Sequence, residues 1–267
     1  MLGKLIKYEI KSVLRIFLPL YIPIILLSVT LFIDNAFVSS ISTLLYMVLF
    51  VALSVTTFIV IVQRFNKQLL GDEGYLMFTL PVSSKQIILS KLIVAVLFEI
   101  LSSLVVVLSF CIGMIFISRY FSTDFNEILQ MLHSAFNFIT GNKTLSGYVA
   151  LSSIVSIFSS VLFIYFALSL GQLPIFKGRR ILGAIVSGFV VYLIVLILNT
   201  ILNSIEIANI QQQLAGLPIV DDSQIKQVYD SISVELFDWL KLLFKFCVAV
   251  VYFLGTSYIL DHKLNLE

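Results

Sequence analysis

LIVAVLFEILSSLVVVLSFCIGMIFI, residues 92–117, carries one charge, Glu99, in 26 positions. A helix of that length is roughly 39 Å long at about 1.5 Å per residue, enough to cross the ~30 Å hydrocarbon core of a bilayer with some tilt. In hydrocarbon every backbone N–H and C=O has to find its partner within the protein, and a helix supplies those partners from its own segment. Barrel strands are excluded, because they alternate apolar and polar residues over only about ten positions.

Five more runs of the same kind extend outward from this one: Ile16 to Ile33, Val38 to Val62, Tyr148 to Leu173, Ile181 to Leu202 and Leu240 to Leu260. The whole chain of 267 residues is 60% apolar and 12% charged, with a mean hydropathy of +1.07. A soluble core cannot bury that much apolar surface, so the fold class is all-α integral membrane with six spans. The chain reads as a single transmembrane domain over 1–267.

Six spans put both termini on one side, and basic residues mark the cytoplasmic side. Lys4, Lys7, Lys11, Arg15, Arg64, Lys67, Lys85, Lys91, Lys177, Arg179, Arg180 and Lys263 fall there, twelve of the seventeen cations. Nine of the fifteen acids fall opposite. Both termini are therefore expected to be cytoplasmic in a multi-pass protein. The net charge of +2 is distributed as topology requires and gives no sign of a nucleic-acid partner.

Residues 1–15, MLGKLIKYEIKSVLR, set apolar positions against Lys4, Lys7, Lys11 and Arg15 at near-helical period. This predicts an amphipathic elbow helix lying on the inner leaflet, its lysines meeting anionic lipid. The run that follows is too long for a cleaved signal peptide and lacks a small-residue cleavage site. Pro19 and Pro23 are expected to bend the first span, since each removes a helix hydrogen bond.

The most polar stretch lies at 63–91, QRFNKQLLGDEGYLMFTLPVSSKQIILSK. Arg64 and Lys67 close the second span, Gly71 breaks the helix, and Tyr75, Leu76, Phe78 and Leu80 offer apolar surface before Pro81. Ser83 and Gln86 match a capping box that starts the next helix. The expectation is a short element on the inner surface between two long helices, either gripped by a cytoplasmic partner or anchored in headgroups.

Outer segments 118–147 and 203–239 are long enough for short helices before spans four and six. Leu129, Leu132, Phe136 and Ile139 stripe one, and Ile225, Val228, Tyr229, Ile232, Leu236 and Trp239 the other. Asp221 and Asp222 read as a solvated turn, since adjacent side chains do not converge on one substrate bond. No internal repeat is evident.

Within the spans, Ser152, Ser156 and Ser160 recur every fourth position, and Gly183 with Ser187, or Ala184 with Gly188, repeat a small-xxx-small spacing. Such spacing lets helix backbones approach closely, so spans four and five are expected to pack tightly, against each other or against another subunit. Glu99 lies about 10 Å inside the inner edge by helix rise and is the intramembrane polar or gating candidate. Lys241 and Lys245, near the start of span six, are expected to pair with Asp238 or snorkel toward the headgroups.

Catalytic and metal chemistry finds no footing. HExxH, GxSxG, GxGxxG and GxxxxGK[ST] are all missing, so no internal nucleotide-binding loop or protease signature is present. Cys111 and Cys247 sit inside apolar spans, and His133 and His262 are isolated, so no metal site assembles. The sequon at Asn142 matters only in a glycosylating host.

The order of basic N-terminal helix, six spans, the run GDEGYLMFTLPVS at 71–83 and a long outer loop before span six resembles the ABC-2 type permeases of bacterial ABC exporters, Gram-positive type. The resemblance covers nearly the whole chain, and 71–83 is its most specific part. It implies a non-catalytic permease subunit in a bacterial cell membrane, paired with a second permease and with a cytoplasmic ABC ATPase dimer that binds the ATP and Mg. No cofactor is expected in this chain. On the same footing Asp72, Glu73, Tyr75, Leu76 and Phe78 form a coupling helix that docks on the ATPase. The substrate class it suggests is amphipathic, a peptide toxin, an antimicrobial peptide or a lipid-like molecule. From the residues alone, an ion-driven secondary transporter titrating Glu99 and a non-transporting sensor or scaffold stay open.

Overall fold

The computed structural model describes residues 2–30, 36–67, 84–120, 143–176, 179–215 and 236–262, with isolated helical positions between 130 and 141. These fall into two compact units, residues 1–138 and 139–265, with the last two residues of the chain assigned to the first. Among the described residues there is no strand, and six helices are long and apolar enough to cross a membrane.

The first unit comprises α1 (Leu2–Thr30), α2 (Ala36–Phe65) and α3 (Ser84–Tyr120). Helix α1 buries Val13, Phe17, Tyr21 and Ile24, a stripe at 3–4 residue spacing. It meets Leu53 and Val60 of α2 and Val94, Phe98 and Val105 of α3 in one core. Phe17 anchors it, with ring centroids 5.3 Å from stacked Phe98 and 5.6 Å from Tyr21. Away from this seam the apolar side chains stay exposed, among them Leu26, Phe37, Leu44 and Leu108. A soluble protein does not leave such continuous apolar faces bare, whereas lipid-facing helices must.

Polar pairs fix the register. Tyr21 Oη and Ser102 Oγ are 2.8 Å apart, Tyr46 Oη and Ser109 Oγ 2.7 Å, and Thr30 Oγ1 donates to Ser42 Oγ at 3.0 Å. The α1 to α3 and α1 to α2 pairs leave α1 and α3 parallel with α2 antiparallel. Hydroxyls such as Ser28, Ser90 and Ser109 also bond to backbone carbonyls three residues back, which hides them from lipid.

One boundary differs from the sequence reading. Leu2–Thr30 is one continuous helix, with no break at Arg15 between the expected elbow and the span, and it passes through Pro19 and Pro23. Its lower part already belongs to the bundle, since Val13 is core and Ile6 and Ile10 pack against it. Helix α3 begins at Ser84, where the capping pair places a helix start.

The second unit comprises α4 (Lys143–Leu170), a one-turn 3₁₀ helix (Pro174–Phe176), α5 (Arg180–Ala215) and α6 (Leu236–His262). The α4 to α5 turn is closed by backbone bonds, including Phe176 N to Leu173 O at 3.0 Å and Gly183 N to Arg179 O at 2.9 Å. A Cβ on Gly171 would lie 2.6 Å from the Arg180 carbonyl oxygen, so only glycine permits that approach. Tyr148 meets Trp239 edge-on at 5.8 Å, and Phe163 meets Tyr252 at 5.7 Å, so α4 and α6 run parallel. Helix α5 extends to Ala215 over 36 residues, roughly 54 Å. The first part of the outer segment 203–239 is thus a continuation of the fifth span, extending past the ~30 Å hydrocarbon core.

Candidate functional site

The same spacing that builds the core of the first unit carries three charges into it. Glu9 precedes Val13 by four residues on the buried stripe of α1; Lys91 continues the stripe of Val94 and Phe98 on α3; Arg64 follows Val60 on α2. Helix geometry turns these positions toward one another. Arg64 Nη1 donates to Glu9 Oε2, Arg64 Nη2 to Ser12 Oγ at 2.6 Å, and Lys91 Nζ to Glu9 Oε1 at 3.1 Å.

The cluster is well shielded. The side chains of Lys91, Glu9 and Arg64 are 3%, 11% and 17% exposed. Desolvated charges are tolerated only with good geometry and charge-assisted hydrogen bonds, and both carboxylate oxygens of Glu9 receive one. The arrangement does no chemistry by itself. What it does is mechanical, because Arg64 is the penultimate residue of α2 and Lys91 lies two turns into α3. One carboxylate therefore ties together the helices that flank residues 68–83.

Sequence reasoning missed Glu9, reading residues 1–15 through their cations. The signal was available: Glu9 is the only acid before Asp34, and it falls in step with Val13, Phe17 and Tyr21. Lys7, Lys11 and Arg15 are exposed on α1, as a cationic face requires, and Lys4 lies on the same helix.

Other candidates are distributed more widely. Asp72, Glu73, Tyr75, Leu76 and Phe78 lie outside the described residues, as do Asp221 and Asp222. Glu99 sits on α3 one turn past Val96, half-buried, with its Oε2 atom shielded from solvent. In the second unit, Ser152 and Ser160 donate to backbone carbonyls of their own helix. Gly188 brings α5 against Ala167, whose Cβ would be 3.0 Å from an added Cβ, and Gly183 is covered by the Phe176 ring. Spans four and five thus approach closely at Gly188 and Ala167. Lys245 Nζ donates to Ser156 Oγ at 3.3 Å across α6 and α4. Among the described residues no group of His, Cys, Asp or Glu is arranged to hold a metal.

The described residues define an all-α protein with six helices of membrane-spanning length and apolarity, compatible with a multi-pass membrane protein. Compared with protein-family models, with curated proteins and with solved structures, the chain matches none.

Proposed function

We propose that this chain is the non-catalytic permease subunit of an ATP-driven exporter, pairing with a second permease and with a cytoplasmic ATPase dimer that carries the nucleotide chemistry. Residues 71–81 are the docking element, and the cationic face of the N-terminal part of α1, continuous with the first span, meets the inner-leaflet headgroups. The substrate is amphipathic.

The observation that supports this reading is the convergence of Arg64 and Lys91 on Glu9. A force applied to the segment between α2 and α3 reaches the bilayer only if both helix ends are stiffly held. A buried, three-helix ionic clamp supplies that stiffness, and interfaces of this kind switch between discrete packings rather than deforming continuously. A headgroup-anchored loop has no use for such a clamp.

Affinity purification of the chain from native membrane, with mass spectrometry of co-purifying proteins, tests the proposal. An ATP-binding subunit is expected, and Glu73→Lys or Tyr75→Ala is expected to release it while leaving the permease in the membrane. Recovery of no ATPase, or retention undiminished in both variants, overturns the assignment.

A further inference from the structure

A cavity of about 260 Å³ opens between α4, α5 and α6. Each helix contributes polar atoms to it: Ser156, Ser159 and Ser160 from α4, Asn199 from α5 and Lys245 from α6. Its remaining wall is apolar and aromatic, with Phe163 between Tyr252 at 5.7 Å and Tyr192 at 6.5 Å.

The polar groups share one depth. Lys245 lies seven residues into the α6 span that begins at Asp238, and Asn199 six residues from the Ile205 end of the α5 span. At about 1.5 Å per residue each lies roughly 10 Å along its helix from the end of the apolar stretch opposite the Pro174–Phe176 turn. A cation at that depth is costly and is usually retained for a ligand or pathway. Its present partner, the Ser156 hydroxyl, is neutral and 3.3 Å away, which leaves the charge uncompensated by that bond.

We propose that this cavity binds an anionic amphiphile, the Lys245 ammonium and the Asn199 amide holding a phosphate or carboxylate headgroup and the aromatic wall taking the first part of its apolar chain. Ammonium, amide and hydroxyl donors line the same cavity, a set that suits an oxyanion with several acceptor oxygens. The volume falls below the roughly 300–1,000 Å³ of pockets that enclose a whole drug-sized ligand, so the site fits a headgroup and leaves a long tail in lipid. Ligand entry replaces a neutral hydroxyl partner of Lys245 with a charged one. The site stands whether or not an ATPase drives the chain, and binding is measured without one.

The test uses the full chain in nanodiscs of phosphatidylcholine, titrated with dodecyl phosphate, dodecylphosphocholine or inorganic phosphate and read by native mass spectrometry. Saturable binding of one dodecyl phosphate per chain is expected, with at least tenfold weaker binding of the other two. Lys245→Met keeps the apolar stem and is expected to weaken dodecyl phosphate at least tenfold, Lys245→Arg to keep most of it, and Lys241→Met, one turn away, to change it less than twofold. Asn199→Leu is a second variant should Lys245→Met not fold, with a three- to tenfold loss expected. Equal losses in the Lys241 and Lys245 variants mean diffuse attraction and overturn the site. So does non-saturable uptake, or inorganic phosphate binding as tightly as the amphiphile.

Discussion

Lys91 Nζ donates to Glu9 Oε1 at 3.1 Å across 82 positions of sequence, in a place where the lysine side chain is only 3% exposed. The contact joins the first and third helices of the first unit, and Arg64 of the second helix completes it on the other carboxylate oxygen. Removing the acid takes a charged partner from both Lys91 and Arg64, and breaking a buried pair costs about 3–5 kcal/mol. Glu9→Gln is therefore expected to lower the thermal midpoint in detergent markedly, whereas Lys7→Gln on the exposed face stays within about 0.5 kcal/mol of the parent. Fluorescence-detected size-exclusion thermal curves check both, and equal midpoints would show that the cluster adds nothing to stability.

A double-mutant cycle separates coupling from simple loss. Glu9→Gln combined with Lys91→Met is expected to cost less than the sum of the single changes by about 1–3 kcal/mol, since the second change removes a charge that has lost its Glu9 partner. Strict additivity would mean that the two side chains do not interact in the membrane.

Tyr21 and Ser102 join the same helices higher up, with hydroxyl oxygens 2.8 Å apart. Interhelical hydrogen bonds of this type in membranes are worth about 0.6 kcal/mol on average and at most about 1.7. Tyr21→Phe should cost that much, clearly less than Glu9→Gln, and Ser102→Ala added to Tyr21→Phe should cost little more. The aromatic packing of residue 21 on Phe17 survives this change, which makes the comparison clean.

Glycines offer a steric test. A Cβ at Gly171 would meet the Arg180 carbonyl at 2.6 Å and the Ala184 nitrogen at 2.7 Å, both backbone atoms that cannot swing aside. Gly171→Ala should destabilise by about 1–3 kcal/mol through forced separation of α4 and α5. Gly3→Ala, with nothing within 4 Å, should be silent or slightly stabilising in a helix. Thermal midpoints of the two variants measure the difference.

Topology is checkable with single cysteines. After replacing Cys111 and Cys247, Arg179→Cys and Gly141→Cys should be modified by an impermeant maleimide from opposite sides of the membrane, the first from the cytoplasm. Labelling of both from one face would overturn the six-span order, and labelling of Arg179→Cys from outside would reverse the orientation derived from the cations.

The six spans were legible because helix formation in lipid is local. Each apolar run satisfies its own backbone, so length and hydropathy suffice, and the runs beginning at Val38, Tyr148, Ile181 and Leu240 coincide with helices. Element ends were harder to read. Polar residues 2–15 and 203–215 continue helices that the apolar runs alone would have ended, because helix propagation does not stop where hydropathy falls.

The sequence by itself determined an all-helical chain with six runs long and apolar enough to span a membrane. Only the tertiary structure decided that Glu9 holds Arg64 and Lys91, that Lys245 reaches Ser156, and that Gly171 lies against the Arg180 carbonyl and Ala184 where α4 meets α5. The physical reason is range. Backbone hydrogen bonds close within four residues, whereas an ion pair or a van der Waals contact between helices depends on how each helix is rotated and how far it has slid along its neighbour, and dozens of side chains far apart in sequence set that jointly.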